Sequence, residues 1–226
     1  MVLTFLREKW EPLSSLTLQQ LTYKTVFMIA LATSRRVSAL NFLSGLSHDI
    51  QFSSSGDNSV CLNLLPEFRA KNQAANVASD PIVVKSLCEI LGPDDKDRCL
   101  CPVRCLKAYL RRTSALRGRR RKLFLSVNPN YSQDIRVATI SRWIVSVIKD
   151  AYKDSADQPL STKAHEVRAL STSLALSRGV SVHSILRAAY WRGRMTFVAH
   201  YLRDLEVVSQ DGQASFSALV LAQNLC

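Results

Sequence analysis

Six residues of this chain have types suited to chemistry on a phosphate: Arg36, Lys71, His165, Arg168, Trp191 and Tyr201. Breaking a phosphodiester without a metal ion needs three things. A nucleophile must attack the phosphorus, donors must hold the non-bridging oxygens as charge builds, and an acid must protonate the leaving oxygen. Tyrosine suits the first task where nearby cations favour its phenolate. Arginine suits the second, because its guanidinium stays charged and forks onto two phosphate oxygens. Lysine or histidine suits the third. His165, Arg168, Trp191, His200 and Tyr201 fall within 37 residues. His200 adjoins the tyrosine as a further candidate, and Arg35 is a rival to Arg36.

Periodicity and punctuation outline the elements that must position these residues. A helix is predicted over Thr17 to Ala32, capped by Thr17, with Leu18, Leu21, Phe27 or Met28 and Leu31 at helical spacing. After a polar break at Thr33-Ser34, Arg35-Arg36-Val-Ser-Ala-Leu40 opens a second helix. Cations at a helix N-terminus oppose its dipole, which points to an anion beside them. Asp49 to Phe52 and Ser59 to Leu65 read as a hairpin around a turn of Ser-Ser-Ser-Gly-Asp-Asn. Pro81 to Val84 reads as a third strand, with Lys71 in the link before it.

Further along, residues 92–98 read as a charged loop. Pro102 to Arg112 and Thr139 to Tyr152 read as amphipathic helices, the second with Trp143, Ile144, Val147 and Ile148 inward. Ala164 to Arg178 is a helix ended by Gly179, with Val167, Leu170 and Leu174 as its buried stripe. It sets His165 and Arg168 on one flank, three positions apart. Ser181 caps a short helix through Ala189, and Thr196 to Leu205 forms a last helix carrying His200 and Tyr201. The expected fold class is α+β, mainly helical with a small antiparallel sheet.

The net charge of +12 selects the partners. Arg104, Lys107, Arg111, Arg112, Arg117, Arg119, Arg120, Arg121 and Lys122 lie in one stretch without a single Asp or Glu. Such a surface attracts polyanions, nucleic acid first and anionic membrane second. No stretch approaches the roughly 20 apolar residues of a membrane span. The N-terminus lacks the pattern of a signal peptide, so the expected setting is intracellular, not secreted, with the six cysteines as reduced thiols. Cys99, Cys101 and Cys105 fit no standard zinc spacing, and neither metal nor cofactor is expected.

The same residues resemble a known family, the tyrosine recombinases (lambda-integrase family). Thr33-Ser-Arg-Arg36-Val-Ser-Ala-Leu40 is similar to the family's Thr-Gly-Leu-Arg-Ile-Ser-Glu-Leu, with Arg36 at the arginine. His165-Glu-Val-Arg168 matches the family's His-x-x-Arg. Lys71 fits its lysine after a β-hairpin, Trp191 its later His or Trp, and Tyr201 its nucleophile. Cys101-Pro-Val-Arg-Cys-Leu-Lys-Ala-Tyr109 and Thr196-Phe-Val-Ala-His-Tyr-Leu-Arg-Asp204 look most like the recombinases of DIRS-like or Ngaro-like retrotransposons of eukaryotes. There are departures. Ser34-Arg35 stands for Gly-Leu, Ala39 for the usual acidic residue, and the step from Trp191 to Tyr201 is one residue longer than usual. The family's N-terminal DNA-clamping domain has no counterpart, and the abrupt start suggests a piece of a longer polyprotein.

The resemblance implies the catalytic-domain fold of DNA breaking-rejoining enzymes over residues 1–205, with a tail over 206–226 that docks into a neighbouring subunit. It implies a DNA recombinase or integrase of a transposable element, working in the nucleus as a tetramer on double-stranded DNA. Tyr201 would form a 3′-phosphotyrosyl link, Arg36, Arg168 and Trp191 would hold the phosphate, Lys71 would protonate the leaving oxygen, and His165 would manage the tyrosine's proton. Two alternatives remain: a type IB topoisomerase-like nicking-closing enzyme, and an inactive DNA-binding remnant.

Overall fold

The helix α2 (Leu18–Thr33) forms the centre of the molecule. Its start is fixed by a capping box: Gln20 N–H donates to Thr17 Oγ1 at 3.2 Å, and Thr17 N–H donates to Gln20 Oε1 at 3.0 Å. Leu21, Val26, Phe27, Met28, Ile29 and Leu31 are all buried, so the helix is covered nearly all round. The computed structural model describes residues 1–53, 59–70, 79–89, 91, 94–128, 133–155 and 162–189. Within them α4 (Pro102–Thr113), α5 (Val137–Tyr152) and α6 (Ala164–Ser177) pack on α2. The expected α+β class holds: the chain is mostly helical with one small antiparallel sheet.

One helix was not foreseen. α1 (Val2–Glu8) has no side-chain cap and is only 7 residues long. It is held by Lys24, which lies inside α2 and is 0% exposed. The lysine Nζ donates to Leu6 O at 3.0 Å and Trp10 O at 2.8 Å, and pairs with Glu11 Oε1 at 2.6 Å. Glu11 also takes a two-pronged grip from Arg104 of α4, at 2.9 and 2.8 Å. A buried charge is tolerated only when paired and hydrogen-bonded, and this one meets both conditions.

α2 ends at Ser34, whose φ of 50° makes it the one non-glycine residue in the left-handed region among those described. That conformation costs a residue with a Cβ about 1 kcal/mol. The second helix, α3, spans only Val37–Asn41 with Arg36 at its N-cap. The two arginines therefore lie in the turn between α2 and α3 and not inside a helix opening at Arg35. Asn41 Nδ2 ties the end of α3 to Ile135 O at 2.9 Å, ahead of α5.

The sheet has the order β1 (Ile50–Phe52), β2 (Ser59–Leu62), β3 (Ile82–Lys85), antiparallel throughout. Val60 faces Val84 and Leu62 faces Ile82, and these four alternate residues are the buried face. Residues 43–45 bridge two distant segments. Leu43 pairs with Leu64, Ser44 pairs with Lys122, and Gly45 N–H donates to Arg121 O at 2.7 Å. A Cβ on Gly45 would sit 2.5 Å from Lys122 O, so only glycine allows this approach.

Residues expected to form a charged loop instead contain a 3-10 turn, Lys96–Leu100, opened by Asp95, which accepts the Asp97 N–H at 2.8 Å. α6 ends in a Schellman motif: Val180 N–H reaches Ala175 O and Gly179 N–H reaches Leu176 O, with Gly179 at φ 86°. Leu170 does not join the buried stripe; it is 39% exposed. Two helical positions on from Arg168 it falls on the opposite face, while Val167 joins the main core and Ser171 Oγ donates to Leu31 O of α2. α7 (Val182–Ala189) follows, with Ser181 Oγ accepting Ser184 N–H at 3.1 Å. The helix expected over Thr196 to Leu205 lies outside the described residues. Among the described residues no helix is long and apolar enough to cross a membrane.

Candidate active site

Arg36 stands in the α2–α3 turn, and Arg168 and His165 stand on the first turns of α6. Although far apart in sequence, all three line one cleft of about 210 Å³, together with Arg35 and with Leu40 and Ile144 as apolar walls. Arg168 is only 4% exposed, and its Nη2 donates to the carbonyl of Ala189, the last residue of α7. Arg36 is half-buried and His165 exposed. The start of α6 is closed by Glu166, whose Oε2 accepts Lys163 N–H at 3.3 Å, which leaves Glu166 occupied with the backbone.

A second, smaller cleft of about 50 Å³ shares Arg35 and Arg36 with the first. Ala39 and Ala189 line it, as do Ala70 and Ser79. Ala70 and Ser79 are the described residues on either side of the segment that contains Lys71, and Ala189 precedes Trp191 by two positions. Lys71, Trp191, His200 and Tyr201 themselves lie outside the described residues. No carboxylate lines either cleft among the described residues. With Arg35, Arg36 and Arg168, the described lining of the two clefts is rich in guanidinium groups, which favours a phosphate-like anion. Ala39 contributes to this, since an acidic side chain there would enter the smaller cleft.

The basic stretch divides by role. Arg104 is bound to Glu11. Its pKa is raised, first by the hydrogen bonds to that carboxylate. Lys122 Nζ donates to Asn41 Oδ1 at 2.9 Å and Ile135 O at 3.2 Å, and lies 4.9 Å above the Phe42 ring. Arg117 donates through Nη2 to Thr113 Oγ1 at 3.0 Å and Leu123 O at 3.1 Å, and burial pulls its pKa below the ordinary arginine value. These three hold the fold together. Arg121 pairs with Glu67, Arg112 reaches Leu16 O at 3.2 Å, Arg120 reaches Leu116 O at 3.1 Å, and Lys107 lies 5.0 Å above Phe52. Arg111 and Arg119 are exposed. Arg119, Arg120 and Arg121 line an open hollow of about 440 Å³ together with Asp134.

Two other chemistries are weak here. Tyr109 is buried, donates to Leu123 O at 3.3 Å and accepts Leu125 N–H at 2.8 Å. Burial pushes its pKa up to about 12, so it stays a phenol and is no competing nucleophile. The Cys105 thiol is likewise pushed up to about 12 by burial. Among the described residues no group of three His, Cys, Asp or Glu is placed to hold a metal.

The residues that the sequence did not single out are Ser34 and Ser171. Their hydroxyl oxygens are 2.6 Å apart and join the turn that carries Arg36 to the helix that carries Arg168. The one advance sign was a side-chain-bearing residue where the resembling family has glycine. No protein-family model matches the chain, and no curated protein matches it.

Proposed function

We propose that the chain cuts and rejoins DNA as a tyrosine recombinase, through a 3′-phosphotyrosyl intermediate and without metal or ATP. One observation carries the reading. Arg36, Arg168 and His165 share one cleft, and the described residues flanking the segments of Lys71 and Trp191 line the cleft beside it.

In this mechanism Arg36 and Arg168 take the two non-bridging oxygens of the scissile phosphate. The Tyr201 oxygen attacks phosphorus and forms a new P–O bond as His165 takes up the phenolic proton. The bond to the 5′ oxygen breaks, and Lys71 supplies that oxygen with a proton. Trp191 adds an N–H donor to the phosphate. Attack by another strand's 5′-hydroxyl runs the steps in reverse and joins new partners. The site is built for charge that grows in the transition state, so loss of one clamp arginine lowers the rate by on the order of 10²–10³. Residues 1–205 act as the catalytic domain, and the tail over 206–226 docks on a neighbour in a tetramer on DNA. The host setting is the nucleus, within a retrotransposon-like element.

The test is a nicked suicide duplex that traps the covalent adduct. Wild type forms it and Tyr201→Phe does not; an adduct in Tyr201→Phe overturns the nucleophile assignment. Relaxation of supercoiled plasmid by a monomer without site preference would replace the recombinase by a topoisomerase-like enzyme. Salt-sensitive DNA binding with no adduct from wild type would leave a DNA-binding remnant.

A further inference from the structure

We infer that Ser34 and Ser171 are positioning residues whose hydroxyl bridge sets the spacing of Arg36 and Arg168 across the cleft. The hydrogen-bond arithmetic is complete. Ser171 Oγ donates its one proton to Leu31 O at 2.8 Å. The 2.6 Å contact between the two serine oxygens must therefore use the Ser34 proton, so Ser34 donates and Ser171 accepts. Leu31 O belongs to the last turn of α2, where carbonyls lack helical partners, and Ser171 supplies one. A two-link chain thus runs from the α2 terminus through α6 and back to the α2–α3 turn.

Three features indicate that this bridge does more than fill space. Both serines are buried, 5% and 1% exposed, so neither hydroxyl has water as an alternative. Ser34 holds φ 50°, a conformation glycine adopts freely and serine does not. A strained residue kept in place by a side-chain bond points to a use for that bond. The third feature is location: Ser34 is two residues from Arg36, and Ser171 is one helical turn from Arg168. The bridge joins the two backbones immediately beneath the two clamp groups. A clamp set too wide or too narrow meets the ground-state phosphate but loses its fit to the transition state.

The consequence for catalysis rests on the recombinase reading; the bridge itself does not. Wild type, Ser34→Gly, Ser171→Ala and the double variant are compared in three measurements: single-turnover adduct formation on the nicked duplex, DNA affinity, and amide exchange by mass spectrometry. Each single variant is expected to form adduct about 10- to 100-fold more slowly, with DNA affinity within about twofold, and the double variant no slower than the slower single. Ser34→Gly keeps its thermal stability within a few degrees, because relief of strain offsets the lost bond, so slow cleavage in it is not misfolding. In both singles the amides of 35–41 exchange faster while those of α4 are unchanged. Wild-type cleavage rates in Ser34→Gly and Ser171→Ala overturn the positioning role. A wild-type chain that forms no adduct sinks the recombinase reading instead, and the exchange data alone then uphold or overturn the bridge.

Discussion

Glu11 serves two cations at once, fully buried Lys24 and half-buried Arg104. Burial alone would raise its pKa, but the hydrogen bonds from Arg104 and Lys24 outweigh it and hold the carboxyl below the usual glutamate value. The folded chain therefore keeps Glu11 ionised where the unfolded chain has begun to take up protons. The stabilisation is fully present above the ordinary glutamate value and is lost as pH falls through the depressed folded one. Glu11→Gln is expected to destabilise the protein at pH 7 by about 3 kcal/mol, since it strands a buried charge. It should also flatten the loss of melting temperature between about pH 5 and pH 3. A melting series against pH checks both, and an equal acid slope in wild type and variant would refute the assignment. None of this was legible in sequence, because a lysine at a helical position ordinarily signals a solvated face. The fork of Arg104 onto Glu11 also ties it into the fold and away from the cations proposed to face DNA, which a one-signed run of charges could not reveal.

At the scale of elements, the long helices were legible from their apolar spacing, helped in α2 by the Thr17 cap and in α6 by Gly179: α2, α4, α5 and α6 begin and end within a few residues of expectation. The misses have physical causes. α1 is too short and uncapped to show a pattern of its own; it is anchored by buried Leu6, whose carbonyl accepts from Lys24. On α6 the leucine rule favoured Leu170, yet several of the buried positions there are polar, Arg168, Ser171, Thr172 and Ser173 among them. The break expected at Thr33-Ser34 extends through Arg36, because nothing local distinguishes Arg35 from a first-turn residue. The strap over residues 121–123 crosses residues 43–45 at a distance that excludes a side chain at position 45. Gly45→Ala should cost about 1–3 kcal/mol through forced displacement of the Lys122 backbone. Denaturant unfolding measures it, and a loss under about 0.5 kcal/mol would mean the strap shifts freely.

For the whole molecule, the charge that dominated the sequence is partly internal. Arg104, Arg117 and Lys122 are occupied by Glu11, Thr113 and Asn41, whereas Arg111 and Arg119 stand in solvent. DNA binding should then weaken steeply with salt, and Arg111→Ala and Arg119→Ala should each lower the slope of log affinity against log salt by about 1. Arg104→Ala should instead lower the melting temperature. Binding titrations over a salt range separate the two classes, and a full slope change from Arg104→Ala without loss of stability would reverse them. The half of the site on α2–α3 and α6 was legible because arginine and histidine spacing survives folding unchanged. Their meeting was implied by the resemblance alone, and packing of α6 on α2 is what brings Arg168 and Arg36 to one cleft.

The buried lysine also bears on how the chain is made. Synthesis proceeds from the N-terminus, so Leu6, Trp10 and Glu11 leave the ribosome before Lys24 does. Glu11 precedes the lysine by 13 positions and Arg104 by 93. The acceptors of the buried lysine are thus already made when Lys24 emerges, while α4 is still unmade. One oxygen of Glu11 pairs with that lysine, and the other is left for an arginine that arrives much later. Birth order and burial order agree in this chain, and the N-terminal residues act as an escort for the charge the core must enclose.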